Sequence, residues 1–233
     1  LQIGVDSTAQ LIQPQVDNPR SMGKIVIYGT SIQQGGCASR TGMVPSAMIQ
    51  REYNLECVNI ATSGQARMDF YIAEAMASIE DAICYVIDPV PNCTKDRCDT
   101  ATYDFINILR TLRPEVPIVM VEGLMYPYTR HDSYHAEYLP QKNECFRRGF
   151  DQHVAENPKG MYYMTHEGQT GPDMEGTVDG VHLTDYGFRA YADLLEIVVK
   201  EALDDTDVDY DVEPAYNVVR KKTFWQRLKD LFQ

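Results

Sequence analysis

A serine and an Asp–His pair lie at positions along the chain where they could together carry out nucleophilic catalysis. Ser31 directly follows an apolar run, in "KIVIYGTSIQQGG", and Asp179 and His182 lie three residues apart in "TVDGVHLTDYGF". In a loop, this spacing lets a carboxylate reach one imidazole nitrogen while the other nitrogen takes a proton from a serine. The pair therefore predicts a base for activating a serine, although an Asp before a helix is also a common turn residue.

Ser31 alone permits two interpretations. A serine that follows a strand is commonly the N-cap of a helix, because its hydroxyl accepts a hydrogen bond from a free backbone N–H. Alternatively, the turn presents Ser31 as a nucleophile, and Gly35 and Gly36 leave space for a substrate to approach the backbone. The other segments of the chain decide between these interpretations.

Two further segments contain groups that could donate hydrogen bonds to a developing oxyanion. "NIATSGQARMD" contains Gly64, whose N–H can face outward from a turn. "VIDPVPNC" places Asn92 in a loop stiffened by two prolines, and a held Asn amide is a suitable donor. Taken separately, each segment is also typical of an ordinary turn.

Alternating apolar and amphipathic segments predict the scaffold. Short runs rich in β-branched residues are typical of strands and lie at 24–29, 57–61, 82–88, 117–123 and 161–165. Segments with helical spacing lie between and after them, at 68–80, 102–113, 138–157 and 184–203. This pattern predicts an α/β protein with three α/β/α layers and a doubly wound, five-stranded parallel sheet of order 2-1-3-4-5. The working site of such a sheet lies at the carboxyl ends of its strands.

Composition restricts the classes of partner. The 233 residues are 44% hydrophobic, which is enough for the core of one α/β domain. A net charge of -13 argues against nucleic acid as a partner, because phosphate contacts need clustered Lys and Arg. No stretch approaches the roughly 20 apolar residues of a membrane span, and the first residues show no signal peptide.

The cysteine pattern predicts no metal site and leaves one disulfide open. The paired short Cys and His spacings of a zinc site are missing from the chain. Cys93 and Cys98 lie five residues apart in "NCTKDRC", a spacing that would permit a small-loop disulfide in an oxidising compartment.

The two ends of the chain differ from residues 24–203. Residues 1–23 are predicted to be a lead-in segment. Residues 204–233 begin with the acidic run "DDTDVDYDVE", which is typical of a solvated linker. The following "RKKTFWQRLKDLFQ" predicts an amphipathic helix that docks on the domain, on a partner or on an anionic membrane surface.

Together, the four segments resemble the sequence blocks of the SGNH hydrolases, the superfamily of GDSL-like esterases and lipases. The resemblance covers residues 24 to 200, about three quarters of the chain. The matching positions, in the order of the blocks, are Gly29-Thr30-Ser31, Gly64, Asn92 and Asp179-x-x-His182. The strings "YGTSIQQGGCASRTGM" and "TVDGVHLTDYGF" resemble a branch in which a β-sandwich domain often precedes the catalytic domain. Residues 1–20 look like the junction that leaves such a domain.

Two positions depart from the pattern of the superfamily. Thr30 stands where its members usually have Asp, at a position that takes no direct part in the chemistry. The third block usually has Gly-x-Asn-Asp, whereas this chain has Val90-Pro91-Asn92-Cys93. The second departure calls the shape of that loop into question, and a Cys93–Cys98 disulfide would replace the lost rigidity.

The resemblance implies a serine esterase that needs no metal or organic cofactor. Ser31 is expected to be the nucleophile, His182 the base and Asp179 the carboxylate that orients it. The oxyanion hole is expected to consist of the Ser31 and Gly64 N–H groups and the Asn92 side chain.

The substrate is expected to be a small-molecule or oligosaccharide ester carrying a short acyl group. Polar and aromatic residues in "MYPYTRHDSYHAEY" suit stacking on a sugar ring, and the branch is often associated with removing acetyl groups from carbohydrates. Gln65, Arg67 and His166 are candidates for the substrate pocket. The alternatives are a lysophospholipase or thioesterase with the same triad, and a non-catalytic carbohydrate-binding module. A polysaccharide substrate also suggests export, to a bacterial periplasm or the medium.

Overall fold

A parallel sheet forms the middle layer of the structure, a computed structural model that describes residues 4–12 and 22–206. Its strands are β1 (Lys24–Gly29), β2 (Glu56–Asn59), β3 (Ala82–Asp88), β4 (Ile118–Val121) and β5 (Met161–Met164). All neighbouring strands pair in parallel, in the order β2-β1-β3-β4-β5. The predicted strand order is therefore confirmed.

Helices cover both faces of the sheet. They are α1 (Ser31–Gln34), α2 (Pro45–Tyr53), α3 (Phe70–Ala77), α4 (Lys95–Leu112), α5 (Ser133–Glu156) and α6 (Asp185–Asp204). Helices α2 and α6 pack on one face of the sheet, and α3, α4 and α5 pack on the other. The three-layer α/β/α architecture is confirmed.

The central strand β1 explains why the sheet is covered on both faces. Ile25 and Ile27 belong to the core shared with α2 and α6, whereas Val26 and Tyr28 belong to the core shared with α3, α4 and α5. Successive side chains of a strand point to opposite faces, so a continuously apolar strand has to be buried on both sides.

Helix α2 is absent from the predicted helical segments, and two other helices begin earlier than predicted. Helix α5 begins at Ser133, five residues earlier than the pattern predicts, because the Asp132 carboxylate accepts a hydrogen bond from the His135 N–H at 3.1 Å. Helix α4 begins at Lys95, where the Thr94 side chain is the N-cap. In both first turns, capping starts the helix before its apolar periodicity begins.

The structure covers the two ends of the chain only in part. Residues 1–3 and 13–21 of the predicted lead-in lie outside the described residues, as do residues 207–233, which include most of the acidic linker and the predicted C-terminal helix. No helix within the described ranges is long and apolar enough to cross a membrane.

Candidate active site

Ser31 occupies the first position of α1, directly after β1. The N-cap is the preceding residue, Thr30, whose side chain accepts a hydrogen bond from the Ile32 N–H at 3.3 Å. Because Thr30 caps the helix, the Ser31 hydroxyl is not used for capping. Its Oγ lies 3.0 Å from Nε2 of His182.

The Asp179–His182 pair has the geometry of an oriented base. His182 Nδ1 lies 2.7 Å from Asp179 Oδ2, while Asp179 Oδ1 accepts the N–H groups of His182 at 2.7 Å and Val181 at 2.9 Å. The hydrogen bond to the His182 ring, followed by these backbone bonds, lowers the pKa of Asp179 well below its ordinary value. Both carboxylate oxygens are thus engaged, and the imidazole is held with Nε2 toward Ser31.

The two glycines after α1 are both closely approached by neighbouring groups, and access of a substrate past them stays a prediction. A Cβ at Gly35 would collide with the Val44 side chain. A Cβ at Gly36 would lie 3.4 Å from Cδ2 of His182 and 3.2 Å from the Ser31 carbonyl oxygen. Gly36 therefore lets the His182 imidazole approach the backbone of the serine turn.

Gly64 lies in a tight turn after β2. Its φ of +71° is in the left-handed region, and the Gln65 N–H bonds to the Thr62 carbonyl at 3.2 Å, as in a type II turn. No atom lies within 4 Å of the position that a Cβ at Gly64 would take, so this face of the turn is open.

Asn92 is oriented by the loop that contains Gly64. Its Oδ1 accepts the Ala66 N–H at 3.4 Å, which leaves the Nδ2 group as the donor end of the amide. The Cys93 thiol donates to the Ala66 carbonyl oxygen at 3.7 Å. Ala66 thus ties the loop after β2 to the loop after β3, at the carboxyl edge where Ser31 also lies.

The disulfide that the Cys93–Cys98 spacing would permit is not formed in the structure, where both residues are buried free thiols. The two thiols hydrogen-bond to each other, and this contact lowers the pKa of Cys93. The loop is fixed by other contacts, which include the short helical turn Val90–Asn92 and a Lys142 ammonium that donates to the Pro91 carbonyl at 3.4 Å. Among the described residues, no cluster of His, Cys, Asp and Glu side chains could hold a metal ion.

A buried carboxyl group beneath the site was not found by sequence reasoning. Asp88, at the end of β3, has no exposed surface, and its Oδ2 accepts hydrogen bonds from Tyr191 Oη at 2.8 Å and Gln33 Nε2 at 3.0 Å. Burial raises the pKa of Asp88 to about 7. Gln33 lies in α1 and Tyr191 in α6, so Asp88 links the serine turn to the helix that follows His182. In the sequence, the position of Asp88 at the end of the apolar run "AICYVI" indicates that its side chain is buried.

Two of the three predicted pocket residues lie beside Gly64. Gln65 and Arg67 are exposed on the same loop, and the Arg67 guanidinium donates to the Gly64 carbonyl at 3.2 Å. Arg97 fixes this loop from α4 by donating to the carbonyl oxygens of Arg67 at 2.8 Å and Met68 at 2.7 Å.

His166, the third, lines a separate cavity. This cavity of about 610 Å³ is mostly apolar, with Met125, Met174 and Leu194 among its walls, and none of the residues that flank Ser31 line it. His166 Nδ1 lies 2.7 Å from Glu122 Oε2, and this hydrogen bond raises the pKa of His166. The structure therefore does not place His166 next to Ser31.

Comparison with known proteins shows the family to which the chain belongs. The sequence profile of the GDSL-like Lipase/Acylhydrolase family matches residues 22–200. A protein described as a GDSL-like lipase from Bacteroides ovatus ATCC 8483 has a similar structure, with 31% identity and a TM-score of 0.74 over 78% of this chain and 54% of its own. No curated protein sequence matches the chain.

More distant structures share the fold alone. The salicylyl-acyltransferase SsfX3 from a tetracycline biosynthetic pathway is 15% identical, with a TM-score of 0.66 over 84% of this chain and 58% of its own. A family two carbohydrate esterase from Clostridium thermocellum, solved with cellohexaose, is 17% identical, with a TM-score of 0.59 over 79% of this chain and 65% of its own. This chain thus spans between half and two thirds of these proteins. From the profile match, it belongs to the GDSL-like lipase/acylhydrolase family of the SGNH hydrolase superfamily.

Proposed function

We propose that the protein is a serine esterase that hydrolyses short-acyl esters, chiefly acetyl esters of carbohydrates. The observation that carries this proposal is the continuous contact from Ser31 Oγ to His182 Nε2 at 3.0 Å and from His182 Nδ1 to Asp179 Oδ2 at 2.7 Å. A nucleophile, a base and a carboxylate that orients the base are the three parts that serine activation requires.

Each step of the mechanism has a group to perform it. Ser31 Oγ attacks the ester carbonyl carbon, and its proton passes to Nε2 of His182. Asp179 stabilises the imidazolium. The carbonyl oxygen becomes an oxyanion that accepts hydrogen bonds from the Ser31 and Gly64 N–H groups and the Asn92 amide.

Collapse of the tetrahedral intermediate completes acylation. The C–O bond to the alcohol breaks, and the departing oxygen takes the proton from His182 Nε2. A water molecule then attacks the acyl-Ser31 carbonyl while His182 accepts a proton from it. Transfer of that proton to Ser31 releases the carboxylic acid and restores the serine.

The carbohydrate class is supported by aromatic side chains near the triad and by the chemistry of structural relatives. Tyr128 lies against Gly180, the residue after Asp179. Similar structures include the family two carbohydrate esterase named above and an acetyl xylan esterase from Butyrivibrio proteoclasticus, which is 11% identical with a TM-score of 0.57.

A longer acyl ester is the second candidate substrate class. The cavity of about 610 Å³ lined by Met125, Met174 and Leu194 has the apolar character that an acyl chain would need. None of the residues that flank Ser31 line this cavity, so the lysophospholipase or thioesterase alternative rests on the shared triad alone.

Release of p-nitrophenol from its acetate and octanoate esters tests the proposal. We expect acetate to be the better substrate and Ser31→Ala to lower kcat by on the order of 10³-fold or more. A preference for octanoate would favour the second candidate. Activity no higher than that of Ser31→Ala on both esters would contradict esterase function and support a binding module.

A further inference from the structure

Four aromatic rings form a continuous row on the surface beside the candidate active site. Ring centroids are 5.4 Å apart from Tyr128 to His135, 5.0 Å from His135 to Tyr134 and 5.4 Å from Tyr134 to Tyr138. We refer to these four residues as the aromatic strip. Its inner end stacks on the buried ring of Tyr126, again at 5.4 Å.

Ring stacking and hydrogen bonds together hold the rings of the strip in place. Tyr134 and Tyr138 are four residues apart on α5, so they share one face of the helix, and their rings are nearly parallel, 13° apart. Asp132 caps this helix, and its second carboxylate oxygen lies 2.6 Å from His135 Nδ1. The Tyr138 hydroxyl accepts the Lys95 N–H at 3.2 Å.

The strip runs from the base to the oxyanion-hole loop. At one end, Tyr128 Cδ1 lies 3.2 Å from where a Cβ of Gly180 would be, next to Asp179. At the other end, Tyr138 contacts Lys95, three residues after Asn92. The strip therefore lies on the β4 side of the site, between the loop that contains Asp179 and the loop that contains Asn92.

The chemistry of the strip matches a sugar ring better than an acyl chain. Tyr134 is 64% exposed and offers an apolar ring face. His135 adds a polar contact, because Asp132 occupies Nδ1 and, among the residues that the structure describes, Nε2 has no hydrogen-bond partner. Apolar ring faces interspersed with hydroxyl and imidazole groups suit a pyranose, which has C–H faces and a rim of hydroxyl groups.

We propose that the aromatic strip is the subsite for the alcohol part of the substrate, where it holds a pyranose ring of a carbohydrate ester while the acyl carbonyl faces Ser31. This inference rests on the proposed function for its chemistry. Stacking on Tyr134 and a hydrogen bond from a sugar hydroxyl to His135 Nε2 orient the sugar. Selectivity for carbohydrate esters over simple esters then originates in the strip.

Tyr134→Ala tests the strip through a ratio of rates. Acetate release from acetylated xylo-oligosaccharides is compared with p-nitrophenyl acetate hydrolysis, both as kcat/KM. We expect kcat/KM for the xylo-oligosaccharides, divided by kcat/KM for p-nitrophenyl acetate, to fall roughly three- to tenfold, the range typical of one lost aromatic contact. Tyr134→Phe keeps the ring and is expected to keep the ratio.

Tyr71→Ala is the matched control, because Tyr71 is 65% exposed on α3, away from the strip. An unchanged ratio in Tyr134→Ala, as in Tyr71→Ala, would overturn the proposal. Circular dichroism of each variant verifies that the fold is intact.

A binding measurement distinguishes failure of the subsite proposal from failure of the esterase proposal. The Ser31→Ala protein is titrated with xylohexaose by calorimetry, with and without Tyr134→Ala. Weaker binding in the double variant supports the strip even if the protein proves to lack esterase activity. Equal binding in both variants, or no binding of xylohexaose to Ser31→Ala, overturns the strip and leaves the esterase proposal intact wherever p-nitrophenyl acetate is hydrolysed.

Discussion

Helix capping and contact with His182 belong to two neighbouring residues, Thr30 and Ser31. Thr30 caps α1 by accepting the Ile32 N–H, and Ser31 is thereby free to contact His182. An Asp at position 30, as in most members of the superfamily, would be an equally good N-cap. The departure at this residue therefore preserves the capping that exposes the serine.

Asp179→Asn tests the role of the orienting carboxylate. An amide in place of the carboxylate cannot stabilise an imidazolium, and its NH₂ group favours the wrong tautomer of His182. We expect kcat for p-nitrophenyl acetate to fall by roughly 10²–10⁴-fold. Asp104→Asn, an exposed substitution on α4, is the control. Equal kcat values for the two variants would show that Asp179 has no such role.

Asn92→Ala tests the side-chain donor of the oxyanion hole. Removing one such donor typically lowers kcat by about 10²–10³-fold. Because the amide acts on the transition state, we expect KM to change little. A variant with an unchanged kcat would exclude Asn92 from the oxyanion hole.

At the scale of elements, three loops after adjacent strands hold the groups that could bind an oxyanion. Ala66 links the second loop to the third through the Asn92 amide and the Cys93 thiol, and Arg97 fixes the second loop to α4. Cys93 thus occupies the position of the usual Asp and provides a contact between the loops.

Gly64→Ala tests the turn that presents this donor. A Cβ has space here, but the φ of +71° costs a non-glycine residue about 1–2 kcal/mol. We expect a loss of this size in urea unfolding, together with a decrease in kcat as the turn shifts. Gly42→Ala, at a glycine without a positive φ, should change neither quantity. An unaltered kcat in Gly64→Ala would indicate that the turn has no part in catalysis.

The sequence predicts some elements better than others, for physical reasons. Strands β1 and β3 begin and end where predicted, because their apolar runs stop at a Gly-Thr-Ser turn and at a proline. The starts of α4 and α5 were missed, because those first turns are polar and depend on caps. Ser31, Asp179 and His182 were identifiable from local motifs, whereas the contact of Asp88 with Tyr191 spans 103 residues and follows no local pattern.

At the scale of the whole molecule, the Asp88 network connects the two halves of the site. It joins β3, α1 and α6 through three buried side chains, so the turn that contains Ser31 and the helix that follows His182 share one support. As the pH rises, the Asp88 carboxyl group either remains protonated or ionises without exposure to water, and ionisation there lowers the stability of the fold.

Asp88→Asn tests the stability cost of this group. The pKa of Asp88 is about 7 in the folded protein, above the ordinary carboxyl value near 4. Its contribution to stability is therefore fully present below about pH 4 and is lost as the pH rises to about 7. Replacement by Asn should remove this loss, which amounts to roughly 4 kcal/mol at most.

The measurement is the free energy of unfolding in urea between pH 4 and pH 8. The difference between Asp88→Asn and the unmodified protein should shift in favour of the variant as the pH rises. Asp104→Asn supplies the comparison for an exposed carboxyl group. A pH-independent difference for Asp88→Asn would mean that the group titrates alike in both states.

Covalent labelling tests whether Ser31 is a nucleophile activated by His182. The protein is treated with a fluorophosphonate, which reacts with activated serines, and the labelled peptide is identified by mass spectrometry. We predict one adduct per chain, on Ser31, and at least a hundredfold slower labelling in His182→Ala. No adduct on Ser31, or labelling at the same rate in His182→Ala, would contradict the activation of Ser31 by His182.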